Sequence, residues 1–168
     1  MKNDTSRNDS RTAQEAAERK GRGMNRPEAR TRLVAVYGTL MNGERNACWR
    51  QDIPTKVEGT MWGHLYDTGY GFPAFVPADH GEKGAAQVAC EILECTPEQI
   101  AHMDVLEGYP NLYRREVVRT ETRCGWDGKV LVYVMNHIPE GAKEIVTEEI
   151  PNWGKVADWR KYRMGKEG

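Results

Sequence analysis

No two cysteines of this chain stand in a CxxC pair. The four of them, Cys48, Cys90, Cys95 and Cys124, lack the spacing of a zinc ribbon or finger, and His64, His80, His102 and His137 supply no HExxH pair. The expectation is therefore no metal and no cofactor. The cysteines are expected to be small buried hydrophobes in a soluble, cytoplasmic protein of a reducing compartment. No apolar run approaches the roughly 20 residues needed to cross a bilayer, and the polar start holds no signal-peptide core, so no membrane partner is expected. Internal repeats and low-complexity blocks are absent as well. The net charge of −1 hides an asymmetry: residues 1–30 carry eight Lys/Arg against five Asp/Glu, which leaves −4 on the remainder. A mildly acidic body argues against nucleic acid as a partner, since that role would rest on a basic tail with few aromatics.

What is there is enough chain for one domain with a tail: 168 residues bury a proper core without disulfides or metal. Residues 1–30 are charged and small, cannot offset the entropy of ordering, and read as a disordered polar extension to a domain spanning 31–168. From Leu33 onward, short β-type runs alternate with Gly and Pro. LVAVYGTL, KVEGTMWGHLYD, FPAFVPA, AAQVACEILEC, YRREVVRTETR and KVLVYVMNHI each read as a strand, FPAFVPA at an edge because it carries prolines. CGWDG joins the last two, with Asp127 and Gly128 suited to a tight turn. The polar, aromatic stretch EIPNWGKVADWRKYR reads as a wrap that packs Trp153, Trp159 and Tyr162 onto the body. The fold class expected is α+β: a twisted, partly closed, mixed or antiparallel sheet of about six strands with one main helix.

That helix is TPEQIAHMDVLEG. Thr96 is a natural N-cap, Pro97 fits the first helical position, Gln99 stands where a capping-box partner belongs, and Gly108 terminates it. Ile100, Met103 and Glu107 follow the i, i+3, i+7 rule, so a glutamate falls on the apolar face. Burial there disfavours the charged form and raises the carboxyl pKa, which makes Glu107 a candidate acid/base near neutral pH. A second segment, VYGTLMNG, ends a strand in glycine-punctuated small residues whose N–H groups can form a nest for an anion such as a carboxylate.

YGTL at the end of the first strand, GHLYDTGYGFPA in the middle and LEGYPNLYRREVV after the helix resemble, in that order, the gamma-glutamylcyclotransferase-like family. The resemblance runs from about Leu33 to Tyr162 and is greatest for the AIG2-like, gamma-glutamylamine cyclotransferase branch. It implies a small-molecule substrate with a gamma-glutamyl group, converted to 5-oxoproline and free amine by attack of the substrate's own alpha-amine. It also implies that Tyr37, Gly38, Thr39 and Leu40 hold the polar head of the substrate through backbone amides, with Thr39 where the family often has serine. Glu107 matches the catalytic acid/base, Tyr113 a tyrosine lining the pocket, Tyr133 a wall, and DWRKYR a structural C-terminal motif. No metal or organic cofactor is implied.

Other polar residues read as structural. Arg114 and Arg115, paired at a strand start, are expected to be solvated, His64 and His137 to be satisfied groups in or beside strands, and Asp67 and Asp104 to be turn and helix-surface residues. A family fold does not fix a function. A non-catalytic protein that binds or sequesters a small metabolite in the same pocket is the alternative reading, and an interaction protein acting through its basic tail is a third.

Overall fold

The computed structural model describes residues 30–50 and 52–167, so apart from Arg30 the extension expected over residues 1–30 lies outside the described residues. Strands β1 (Arg32–Val36), β2 (Val57–Asp67), β3 (Pro73–Pro77) and β4 (Ala86–Cys95) lead into helix α1 (Pro97–Glu107). The hairpin β5 (Tyr113–Thr122) and β6 (Asp127–Met135) follows, then β7 (Lys143–Glu144), β8 (Glu148–Ile150), β9 (Gly154–Ala157) and helix α2 (Trp159–Glu167). A 3-10 turn, Ala47–Arg50, sits in the long connection after β1.

Five of the strands close on themselves. β2 pairs antiparallel with β5, β5 with β6, β6 runs parallel to β1, β1 is antiparallel to β4, and β4 returns antiparallel to β2. The partly closed sheet expected from the sequence is thus a closed, barrel-like ring, which removes the edges an open sheet would expose. β3 lies at the outer end of the strand order, the edge position its prolines suit. Strict alternation along the ring sorts the core into two clusters. Ala35, Val88, Cys90, Ile92, Val130 and Val132 belong to one, with Met61, Leu65 and Phe75. Val34, Val36, Leu93, Cys95, Leu131 and Tyr133 belong to the other, where Ile100 and Met103 of α1 cover them.

Helix α1 forms where its caps dictate. The Thr96 side chain accepts from the Gln99 amide at 3.2 Å, the Gln99 side chain accepts from the Thr96 amide at 2.8 Å, and Gly108 ends the helix at φ 62°.

Three short strands and a second helix appear where the sequence suggested none. The C-terminal stretch holds β8 and β9, and β9 extends the ring by pairing parallel with β4. Trp159 is buried and Tyr162 packs against the same cluster, as expected, but Trp153 is 59% exposed and belongs to neither core cluster. In the β5–β6 hairpin the left-handed position is Gly125, at φ 83°, whereas Asp127 and Gly128 already pair in the strand. A glycine stands at 128 for a different reason: a Cβ there would lie 2.5 Å from the Trp126 ring. Only Cys90 and Cys95 are buried; Cys48 and Cys124 are exposed, contrary to their reading as core residues.

One outward position of β4 holds a charge. Glu91 is buried and is paired with the equally buried Arg50 at 2.8 Å. It also accepts from the Asn42 amide (3.1 Å), from Thr55 Oγ1 (2.7 Å) and from Arg160 of α2 (3.2 Å). Burial pushes its pKa up, but the hydrogen bonds from Thr55, Arg50 and Asn42, with the Arg50 charge, outweigh this and leave it below the usual carboxylate range. Arg50 in turn donates to Ile53 O and Asn42 Oδ1, so the connection from Leu40 to Thr55 is folded around one ion pair. Removing one partner strands the other in the interior. Glu91→Leu is therefore expected to lower the unfolding free energy by about 3–5 kcal/mol, read from urea denaturation.

Candidate functional site

The end of β1, the loop after it and the last turn of α1 enclose a cavity of about 90 Å³. Each candidate site residue expected from the sequence lies on its wall: Tyr37, Gly38, Thr39 and Leu40 on the β1 side, Glu107 on the helix side, and Tyr113 and Tyr133 from β5 and β6.

Gly108 makes this possible by ending α1 abruptly. The Asn111 and Leu112 amides both donate to its carbonyl at 2.8 Å, and the tight reversal delivers Leu112 and Tyr113 to the cavity beside Glu107. Gly38 lets the opposite wall approach, since a Cβ there would lie 2.6 Å from Pro73 Cγ. Beyond it the loop is held by Met41 N donating to Gly38 O and Asn46 N to Thr39 O, both at 3.0 Å, while the Asn46 side chain donates to Thr39 Oγ1 at 3.0 Å. The amides of Gly38, Thr39 and Leu40 donate to no group among the described residues. They are the hydrogen-bond donors that a ligand's anion can take.

Glu107 is half-buried, and its carboxylate accepts no hydrogen bond from the described residues. Burial alone pushes its pKa from 4.5 up to about 7. The tyrosines around it are fixed as neutral donors. Tyr37 donates to Tyr133 O at 2.7 Å, Tyr113 to Pro73 O at 3.0 Å, and Tyr133 to Asp104 Oδ1 at 2.6 Å. Burial raises the pKa of each, and the Glu107 charge adds to the rise. The cavity therefore presents one group that exchanges a proton near neutral pH, with backbone donors across from it.

Several residues stand elsewhere than the sequence suggested. Asp104 is no bare helix-surface residue, because it is half-buried under the Tyr133 hydroxyl. Arg115 is not simply solvated: its guanidinium lies 4.1 Å from the centre of the Tyr109 ring and 3.8 Å from Asp104. Arg114 pairs with Glu116. Asp67 caps a turn by accepting from Gly69 N, as expected, but is also buried beneath Tyr162 and Lys166 of α2. His64 bonds Glu144 at 2.7 Å, and His137 is exposed beyond β6. Arg45, Asn46 and Phe72 also line the cavity and were not singled out beforehand; Arg45 and Asn46 follow directly on the MNG turn, and that adjacency was the available signal. Among the described residues no group of three or more His, Cys, Asp or Glu side chains is placed to share a metal ion, and no helix is long and apolar enough to cross a membrane.

The chain is similar to known proteins. Residues 34–159 match the family described as "Gamma-glutamyl cyclotransferase, AIG2-like". Proteins of Vibrio cholerae and Halalkalibacterium halodurans, both carrying the name "Putative gamma-glutamylcyclotransferase", are 32% identical over 111 residues and 37% identical over 113. These matches cover 62% and 64% of this chain, and 84% and 89% of the relatives. The fold is shared with the crystal structure of an AIG2-like protein from Mus musculus, with a TM-score of 0.53 at 19% identity over 63% of this chain and 78% of that one. The ring of strands, the capped helix ending in Glu107 and the YGTL turn facing it thus belong to a known lineage: the chain is a member of the gamma-glutamyl cyclotransferase, AIG2-like family.

Proposed function

We propose that the protein converts a gamma-glutamyl amine, or a related gamma-glutamyl amide, to 5-oxoproline and free amine. The observation that carries this reading is Glu107: a carboxylate open to the cavity, with no hydrogen-bond donor of its own and a pKa pushed to about 7, opposite unpaired backbone amides. The substrate contains its own nucleophile, so the enzyme's task is orientation and proton transfer, and orientation alone is worth several kcal/mol. The amides of Gly38, Thr39 and Leu40 fix the alpha-carboxylate. Ionised Glu107 takes a proton from the alpha-amine as its nitrogen attacks the gamma-carbonyl. Collapse of the tetrahedral species breaks the gamma-carbon–nitrogen bond, and Glu107 returns the proton to the leaving amine. Tyr37, Tyr113 and Tyr133, fixed by their own hydrogen bonds, shape the pocket and keep water from Glu107.

Mass spectrometry for 5-oxoproline on a panel of gamma-glutamyl amines tests the reading: the wild type releases it, and Glu107→Gln does not while still binding substrate. Absence of release by the folded wild type across the panel would leave a binding or sequestering role.

Three further outcomes are expected from the same geometry. Because the base form of Glu107 is required, kcat/KM rises with pH through an apparent pKa near 7. The stability linkage has the opposite sense. The folded-state pKa is above the unfolded one, so the stabilisation is fully present below about 4.5 and is lost as pH rises through about 7. Glu107→Gln should therefore gain about 3 kcal/mol over the wild type between pH 4.5 and pH 8, measured by denaturation at each pH. Gly38→Ala forces the loop and Pro73 apart across the cavity, since the new Cβ has nowhere to sit. A KM raised about tenfold or more with the fold intact by circular dichroism is the expected result.

A further inference from the structure

Arg45 is the one cation that lines the cavity among the described residues, and the function proposed above gives it nothing to do. It makes no hydrogen bond or ion pair with any described residue. The acids near its stretch of chain are engaged elsewhere: Glu44 is bound by Arg163 of α2, and Glu91 by Arg50 and Arg160. Its guanidinium stands beside the turn that follows β2. It lies over Gly71, whose φ of 86° belongs to the turn between β2 and β3, and a Cβ on that glycine would stand 3.2 Å from Arg45 Nη1. The positive φ is what calls for glycine at this position.

Depth decides which part of a substrate meets this cation. Tyr37, Thr39 and Leu40 are buried and form the inner wall with Glu107, where the glutamyl head and the reacting carbonyl must sit for proton transfer. Arg45 is exposed and stands on the same cavity's rim. A gamma-glutamyl compound seated with its head inward directs its leaving half to that rim. We infer that Arg45 is a specificity residue that binds an anionic group on the amine half of the substrate, so that the preferred substrates release an amine bearing a carboxylate rather than a neutral alkylamine. The guanidinium fork suits a planar carboxylate in two-point contact. This inference rests on the cyclotransferase reading for which end of the ligand points outward.

The test compares matched pairs: gamma-glutamyl ω-amino acids with one to four methylenes, each against its ω-carboxamide, which keeps the size and removes the charge. The kcat/KM ratio of acid to amide is measured for the wild type, Arg45→Gln and Arg45→Lys. Calorimetric binding of the same pairs to Glu107→Gln, with and without Arg45→Gln, reads the preference without turnover. For at least one chain length the wild type should favour the acid about tenfold or more, the size expected for a charge-assisted hydrogen bond at a partly hydrated site. Arg45→Gln should bring the ratio to about one, and Arg45→Lys should restore part of it. A wild-type ratio near one at every length, or a preference that survives in Arg45→Gln, overturns the inference. Equal losses for acid and amide overturn it too, because they assign Arg45 to the glutamyl head, and so does a failure of both to bind. Binding with the expected preference but no 5-oxoproline would sink the cyclotransferase reading and leave the role of Arg45 standing.

Discussion

A carboxylate shut away from water, Glu91, is the tie on which the arrangement of the site depends. It projects outward from β4 at the point where the strand pairs with Val36 at the end of β1 on one side and Glu58 of β2 on the other. A buried charge is tolerated only when its lone pairs are met. Arg50, Thr55, the Asn42 amide and Arg160 meet them, and they come from the cavity loop, its return to β2, and α2. The loop that carries Gly38 to Leu40 thus has a fixed point just past its working end. It acts with the other ties of the stretch from Met41 to Thr55: the buried side chains of Met41 and Ile53, the bonds from Asn46 to Thr39 and the pairing of Glu44 with Arg163. Replacing the pair by hydrophobic side chains would meet none of the polar groups that converge there, so specificity of loop placement, rather than net stability, is the natural account of why a charge sits at that position.

The same economy explains why two carboxylates one turn apart on α1 differ in character. Asp104 takes the Tyr133 hydroxyl at 2.6 Å and has Arg115 nearby, so its lone pairs are occupied and it serves as a strut between helix and ring. Glu107 emerges where Gly108 ends the helix, accepts no hydrogen bond from the described residues, and shares its cavity with Tyr37, Leu106, Leu112, Tyr113 and Tyr133. Desolvation without compensation is what moves a carboxyl toward neutrality. The chemistry is therefore set by what is withheld from Glu107 as much as by what surrounds it. Gly108 withholds the next helical turn, and the tyrosines spend their hydroxyls on Tyr133 O, Pro73 O and Asp104.

How far this was legible in the sequence follows from how local each signal is. Helix α1 could be bounded closely because Thr96, Pro97, Gln99 and Gly108 act within a few residues of themselves, and the phase that placed Glu107 inward is a property of one segment. The main strands were legible from alternation. A partly closed sheet was expected, but which strands meet to close it was not legible: β2 meets β4 across more than twenty intervening residues, and nothing in VEGTMWGHLYD announces which strands flank it. β9 was missed because GKVA is short and polar, and it becomes a strand only by lying along the free side of β4. The hairpin turn was misplaced by a glycine serving a packing purpose: Gly128 makes room for Trp126, while Gly125 takes the left-handed position. The residues with motif or phase behind them line one cavity. Glu91 was not legible, because a glutamate in an alternating strand reads as solvent-facing, and only its distant partners Arg50 and Arg160 reveal otherwise.

The distribution of arginines brings these strands of argument together. Arg50 and Arg160 are consumed by Glu91, Arg163 by Glu44, Arg114 by Glu116, and Arg115 by the Tyr109 face and Asp104. The pairings of Arg50 and Arg163 tie down the loop that borders the cavity, and Arg114 pairs within its own strand; each pairing places a carboxylate or ring against the positive charge. Were one of them free beside Glu107, its field would hold the carboxyl ionised and pull the pKa back toward the ordinary value, spoiling it as a proton carrier. Burial acts on Glu107 without such an offset. Arg45, without a hydrogen bond or ion pair among the described residues, stands exposed on the rim near Gly71, where, on the inference above, a ligand uses its charge while burial still governs Glu107. Under the proposed function, a site that pairs an unsupported acid/base with a charged substrate has few other places to put a cation.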